Sequence, residues 1–217
     1  KKTTTKQTST ASTSPQRQEE EPDVCCICLD ELPTDANKLI RFTCCGKQCC
    51  FGCQRNVVKS KMPDNLKYRC HQCRKPNPRT DKEQIEQLRE WVDKGEAWAQ
   101  RMMAQWYRDG QFGLKQSYVM AAMLYEKAVA QGDPEAMNNL ALMYHQGQGV
   151  VKTYIKAVEL YTMAAEQGDG GAMNNLGNIY IHGQGVTQSN ELAREWWTKA
   201  ANEGHELAIE NLKVLDK

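Results

Sequence analysis

Residues 132–167 read GDPEAMNNLALMYHQGQGVVKTYIKAVELYTMAAEQ, and residues 168–203 continue GDGGAMNNLGNIYIHGQGVTQSNELAREWWTKAANE. Laid over one another, seventeen of the thirty-six positions are identical without a gap. Residues 95–131 fit the same template with one extra residue near Phe112, and residues 204–217 fit its first third. A fixed period of this length predicts an array of supersecondary units, each covering a neighbour's apolar face.

Within one unit, Ala136, Leu140, Met143 and Tyr144 fall at i, i+4, i+7 and i+8, a single helical stripe that Gly147 and Gly149 break. Ala157, Leu160, Tyr161, Ala164 and Ala165 form a second stripe, so each unit is a helix pair. Alanine recurs at matched places (Ala128, Ala164, Ala200), where small side chains let helices approach closely. The G-x-G-V turn with its A-x-x-x-Y/W-x-x-A-A second helix resembles Sel-one-like repeats, relatives of the tetratricopeptide arrays, over residues 95–217. That resemblance implies an all-α helical-repeat solenoid that recruits a protein or peptide. Asn138/Asn139 and Asn174/Asn175 recur on the first helices, and Asn139 and Asn175 are the candidate peptide-groove residues. The structural alternative is asparagine bonding to its own helix turn. His145 and His182, at helix ends, are expected to be exposed. Trp91, Trp98, Trp106, Trp196 and Trp197 are expected in the core or at end caps, with Trp98 and Trp106 also eligible for a groove.

All ten cysteines lie between Cys25 and Cys73. Three C-x-x-C pairs, Cys25/Cys28, Cys50/Cys53 and Cys70/Cys73, suit two thiolates turning onto one ion better than a disulfide framework. Three pairs give six ligands, and two zinc ions need eight. The remaining two come from Cys44, Cys45 and Cys49, or from His71; Cys26 and Cys49 read as small buried residues. The chain has no signal-peptide pattern, no membrane-length apolar run and no N-x-Ser/Thr sequon, although it begins with Lys1 rather than Met. Free thiolates on metal place the expected location inside the cell, in cytosol or nucleus.

The order CCIC (25–28), CCGKQCCFGC (44–53) and CHQCRKPNP (70–78) resembles a RING finger over about residues 24–79. The resemblance implies interleaved ligation of two Zn²⁺: Cys25, Cys28, Cys50 and Cys53 on one, Cys44, Cys45, Cys70 and Cys73 on the other. It is an all-cysteine variant, because Lys47 stands where many such fingers carry histidine. Cys26 and His71 stand where proline is usual. Such a finger holds no nucleophile; it positions a ubiquitin-loaded conjugating enzyme. Ile27 would then meet the conjugating enzyme and Arg74 would bridge enzyme and ubiquitin.

The expected architecture is therefore multi-domain: a small zinc-stapled RING-like α+β module followed by an all-α solenoid. Residues 1–22 form a Thr/Ser-rich tail, polar and without apolar period, expected to be disordered. Residues 23–79 form the zinc module. Residues 80–94 form a connecting, capping helix opened by the capping box Thr80-x-x-Glu83, with Ile85, Leu88 and Val92 as its apolar stripe up to Gly95, in the slot of a second helix from a missing repeat. Repeats follow at 95–131, 132–167, 168–203 and, in part, 204–217. The chain as a whole has a formal charge of +1, but residues 24–79 carry eleven Lys/Arg against four Asp/Glu, and residues 80–217 thirteen against nineteen. Two zincs with eight thiolates offset much of the first excess, and no aromatics interleave with the basic residues, which argues against nucleic acid. No Ser/His/Asp or Cys/His constellation shows a hydrolase spacing. The expected function is a RING-type ubiquitin ligase whose repeats recruit a substrate; the alternative is a non-enzymatic adaptor with a structural zinc module.

Overall fold

The computed structural model describes residues 78–215, together with the backbone of two short strands, β1 (Leu39–Arg41) and β2 (Gln48–Cys50). The strands pair antiparallel, with Leu39 opposite Cys50, Ile40 opposite Cys49 and Arg41 opposite Gln48. The tail, Ile27, Arg74 and the zinc ligands expected at Cys25, Cys28, Cys44, Cys45, Cys53, Cys70 and Cys73 lie outside the described residues.

Eight helices follow: α1 (Asp81–Asp93), α2 (Ala97–Asp109), α3 (Tyr118–Val129), α4 (Pro134–Gln146), α5 (Tyr154–Glu166), α6 (Gly170–His182), α7 (Asn190–Asn202) and α8 (Glu206–Leu215). Five of them, α1, α3, α4, α6 and α7, begin on a capping side chain. Asp133 and Asp169 accept from the backbone N–H of Ala136 and Ala172, and Ser117 and Ser189 from Met120 and Leu192. At α1 the Thr80 hydroxyl accepts from the Glu83 N–H, while the Glu83 carboxylate reaches back to the Arg79 N–H. The first helices α2, α4 and α6 end on glycines in the left-handed conformation, at Gly110, Gly147 and Gly183.

One backbone bond shows what α1 is. The N–H of Asp133 donates to the carbonyl of Ala128, Asp169 to Ala164 and His205 to Ala200, closing the turn from each second helix into the next first helix. Glu96 donates to Trp91 in the same way. Thus α1 occupies the slot of a second helix, α2 opens the first complete repeat, and α8 is the first helix of a fourth. Leu88, fully buried on α1, ties this helix into the core with Ile85, Trp91 and Val92 around it.

The core runs along the array as alanine-lined seams. Ala99, Ala136, Ala172 and Ala208 on the first helices are each fully buried. So are Ala121, Ala157 and Ala193, and Ala128, Ala164 and Ala200, on the second helices. Small side chains at these places bring helix backbones together, and larger residues (Met103, Leu140, Leu176, Tyr125, Tyr161) fill the space between. Removing one of those larger side chains, as in Leu140→Ala, belongs to the class that costs about 2–5 kcal/mol.

A polar seam along the first helices as the candidate functional site

Adjacent first helices are stitched together by side-chain hydrogen bonds that repeat along the array. Between α4 and α6, the Asn175 amide donates to the Asn138 Oδ1 at 3.0 Å. Between α6 and α8, Asn211 donates to the Asn174 Oδ1 at 3.0 Å. Laid on the repeat template, these are the same pair of positions one unit apart. In the α2–α4 seam the place of Asn138 and Asn174 is taken by Arg101, which forms ion pairs with Asp133 (3.1 Å) and Glu135 (2.7 Å). Two turns further along α2, Arg108 donates to Asn139 Oδ1 at 2.8 Å and grips Asp109 with two N–H groups.

The two asparagines singled out in the sequence have different surroundings. Asn139 is engaged at both ends, accepting from Arg108 and donating to the Glu135 carbonyl one turn back, as the structural alternative requires. Asn175 uses only its amino group, toward Asn138. The pair therefore keeps a donor on Asn138 and an acceptor on Asn175 without a partner among the described residues. Gly171 lies beside it: a Cβ there would sit 3.0 Å from Asn138 Nδ2.

The charges in these seams are partly shielded from water. Burial raises the Glu135 carboxyl above its usual range, with Arg101 opposing. Burial likewise raises Asp169, against the bond it accepts from Ala172. The Tyr125 hydroxyl, on a fully buried side chain, is pushed up to about 12 by burial and has no hydrogen-bond partner among the described residues.

Several expectations change here. His145 is half-buried rather than exposed: its Nε2 lies 2.6 Å from Gln184 Oε1 and its ring meets Tyr154 edge-on. His182 is exposed as expected. Trp106 is a core residue with its ring 4.3 Å from Phe112, so it lines no groove, whereas Trp98 stays half-buried against Trp91. Trp197 is buried and donates to the Asn174 carbonyl. The roles of Arg101, Arg108 and Tyr125 were missed by periodicity, which marks apolar faces. The signal was in the repeat alignment, where Arg101 replaces a recurring asparagine. Among the described residues no group of three or more His, Cys, Asp or Glu is placed to hold a metal, and no helix is long and apolar enough to cross a membrane.

Comparison with known proteins agrees with this geometry. The Sel1 repeat profile matches residues 99–133, 134–169 and 171–205. Among solved structures, a protective antigen of uropathogenic Escherichia coli with an SLR fold is 32% identical, with a TM-score of 0.60 over 64% of this chain and 29% of its own. A Sel1 repeat protein from Oxalobacter formigenes is 28% identical, with a TM-score of 0.56 over 61% of this chain and 54% of its own. The chain thus spans less than two thirds of either structure, and no curated protein matches it. Three consecutive repeats of this chain, over residues 99–205, thus match the Sel1 repeat family.

Proposed function

We propose that the chain is a protein-interaction adaptor whose first-helix face holds an extended segment of a partner protein. The observation that carries this reading is the Asn138–Asn175 pair beside Gly171, in which the Asn138 amino group and the Asn175 amide oxygen have no partner among the described residues. A peptide unit offers one C=O and one N–H, the complement of that pair, and a glycine beside it lets a backbone come close. Replacing Asn138 and Asn175 together by Ala removes both partners of their mutual bond, so no buried group is left unpaired and the fold is kept. Partners cross-linked to the wild-type chain should then be captured at least tenfold less, with helical circular dichroism unchanged. Equal capture by wild type and double variant overturns the reading.

The finer reading, ubiquitin transfer through a zinc module, is favoured by a sequence observation: four cysteine pairs in RING order, with Ile27 inside the first and Arg74 directly after the last. Two Zn²⁺ on Cys25, Cys28, Cys50 and Cys53, and on Cys44, Cys45, Cys70 and Cys73, would hold that segment folded, since metal binding and folding are coupled. A conjugating enzyme is then the second partner. Elemental analysis should give two zincs per chain. In autoubiquitination with a panel of conjugating enzymes, Arg74→Ala should cut transfer while leaving binding of the uncharged enzyme intact, and Ile27→Ala should weaken binding itself. Transfer that is absent with every enzyme, or insensitive to both changes, retires the ligase and leaves the adaptor.

A further inference from the structure

The edge of the array at which the second helices begin is apolar and cationic in the first two units. Val119, Met120 and Met123 on α3 and Ile155 on α5 are exposed, and Val151, on the turn into α5, is 85% exposed. These places adjoin, because Gly149 in the same turn lies against the backbone of Tyr118 and Val119. The repeat itself does not require apolar side chains here. Glu191 stands at the place of Val119 and Ile155, Thr187 at that of Val151, and Glu159 and Glu195 at that of Met123. Lys115, Lys152 and Lys156 are exposed along the edge. Neither residues 110–125 nor residues 136–158 contain an acid, although residues 80–217 carry nineteen acids against thirteen bases. Two of the cations are held over rings, Lys152 above Tyr154 at 4.8 Å and Lys156 above Tyr144 at 5.2 Å.

The polar side chains of this edge are already engaged within the chain. The Gln116 amide donates to the Arg108 carbonyl and the Tyr118 hydroxyl, Ser117 caps α3, and the Thr153 hydroxyl donates to the Val151 carbonyl. What the edge offers is projecting apolar side chains and point charges, with little directional hydrogen bonding. A protein interface of standard size makes about ten hydrogen bonds and packs as closely as a protein interior. A bilayer surface needs neither: apolar side chains enter the boundary between headgroups and acyl chains, and lysines meet anionic headgroups. We propose that this edge docks peripherally on an anionic lipid surface, with Val119, Val151 and Ile155 entering that boundary and the three lysines at the headgroups. Docking of this kind asks for no membrane-crossing helix. It goes beyond the adaptor reading and shares no residue with the Asn138–Asn175 pair.

The test is cosedimentation of the full chain with two vesicles, one of phosphatidylcholine alone and one of phosphatidylcholine mixed with phosphatidylserine. The chain should partition roughly tenfold more strongly onto the mixed vesicles. Val151→Thr with Ile155→Glu writes the third unit's residues into the second, so the helical signal and melting temperature should hold while partitioning falls by roughly tenfold. Lys152→Gln with Lys156→Gln should remove most of the preference for the mixed vesicles. Water-soluble glycerophosphoserine should not displace the chain, because the apolar contact needs an assembled bilayer. The proposal is overturned if the chain binds neither vesicle. Self-association lost in the Val151/Ile155 variant would then assign the edge to a second copy. It is also overturned if that variant binds the mixed vesicles as well as wild type, since the contact then lies elsewhere, as on the basic residues of 24–79. Displacement by glycerophosphoserine overturns it too, by reducing the contact to a headgroup anion.

Discussion

At Gly177 a single missing methyl decides how a helix pair packs. A Cβ there would lie 2.4 Å from the Trp197 ring. One repeat earlier the same two places hold Ala141 and Tyr161, both buried, so the small–large pair is conserved in volume with the methyl moved from one side to the other. Gly177→Ala gains about 1 kcal/mol of helix propensity. It also forces a close contact onto a buried ring anchored by its bond to Asn174, and overpacking of this kind costs about 1–3 kcal/mol. The clash should win, lowering stability by about 1 kcal/mol in urea titration. Gly177→Ala with Trp197→Tyr should recover most of the loss. A neutral or stabilising Gly177→Ala would show that the ring shifts freely, contrary to this account.

Between elements, the G-x-G turn does two jobs. Gly147 ends α4 in the left-handed conformation. Gly149, also left-handed with φ of 70°, lies against the start of α3: a Cβ there would sit 2.4 Å from the Tyr118 carbonyl carbon. Backbone cannot give way as a flexible side chain can. Gly168, with φ of 89°, has nothing within 4 Å of its notional Cβ. Alanine at Gly168 therefore carries only the left-handed strain of about 1–2 kcal/mol. Alanine at Gly149 carries that strain and must also push the turn off α3, so it should be the more destabilising of the two by at least about 2 kcal/mol. Equal melting temperatures for the two variants would mean that the turn does not fasten repeat to repeat. The sequence marks both glycines as breakers; only the packed array shows that one of them is also a contact.

Over the whole molecule, the cysteines and the helical array are separate in sequence. No cysteine follows Cys73, and the described cores are made of α1 to α8 alone. A chelator that strips the proposed zinc should therefore leave the helical signal and its melting temperature unchanged, while two ions per chain are released if the zinc reading holds. A lower helical melting temperature on chelation would instead show that the zinc module and α1 share a core. In a solenoid, stability comes from each repeat and its nearest interfaces, so loss at one end is not transmitted far.

The period, the helix pairs, the Thr80 cap and the matched alanines at 128, 164 and 200 were legible in the sequence because they are local: a stripe at 3.6 residues, a breaker, a capping side chain. The slot taken by α1 was legible too, from its register before Gly95. Which polar groups meet was not. Asn139 and Asn175 look alike in the repeat, yet one is closed on Arg108 and Glu135 while the other keeps an acceptor without a partner among the described residues. His145 stands at a helix end like His182, yet the next repeat's turn covers it. These differences arise across thirty or more residues, where the neighbouring unit supplies the partner. The chain's own pattern determines that helices stack; only the stacked repeats decide which hydrogen-bonding groups are used up and which remain for a ligand, because desolvation and pairing depend on what packs above each residue.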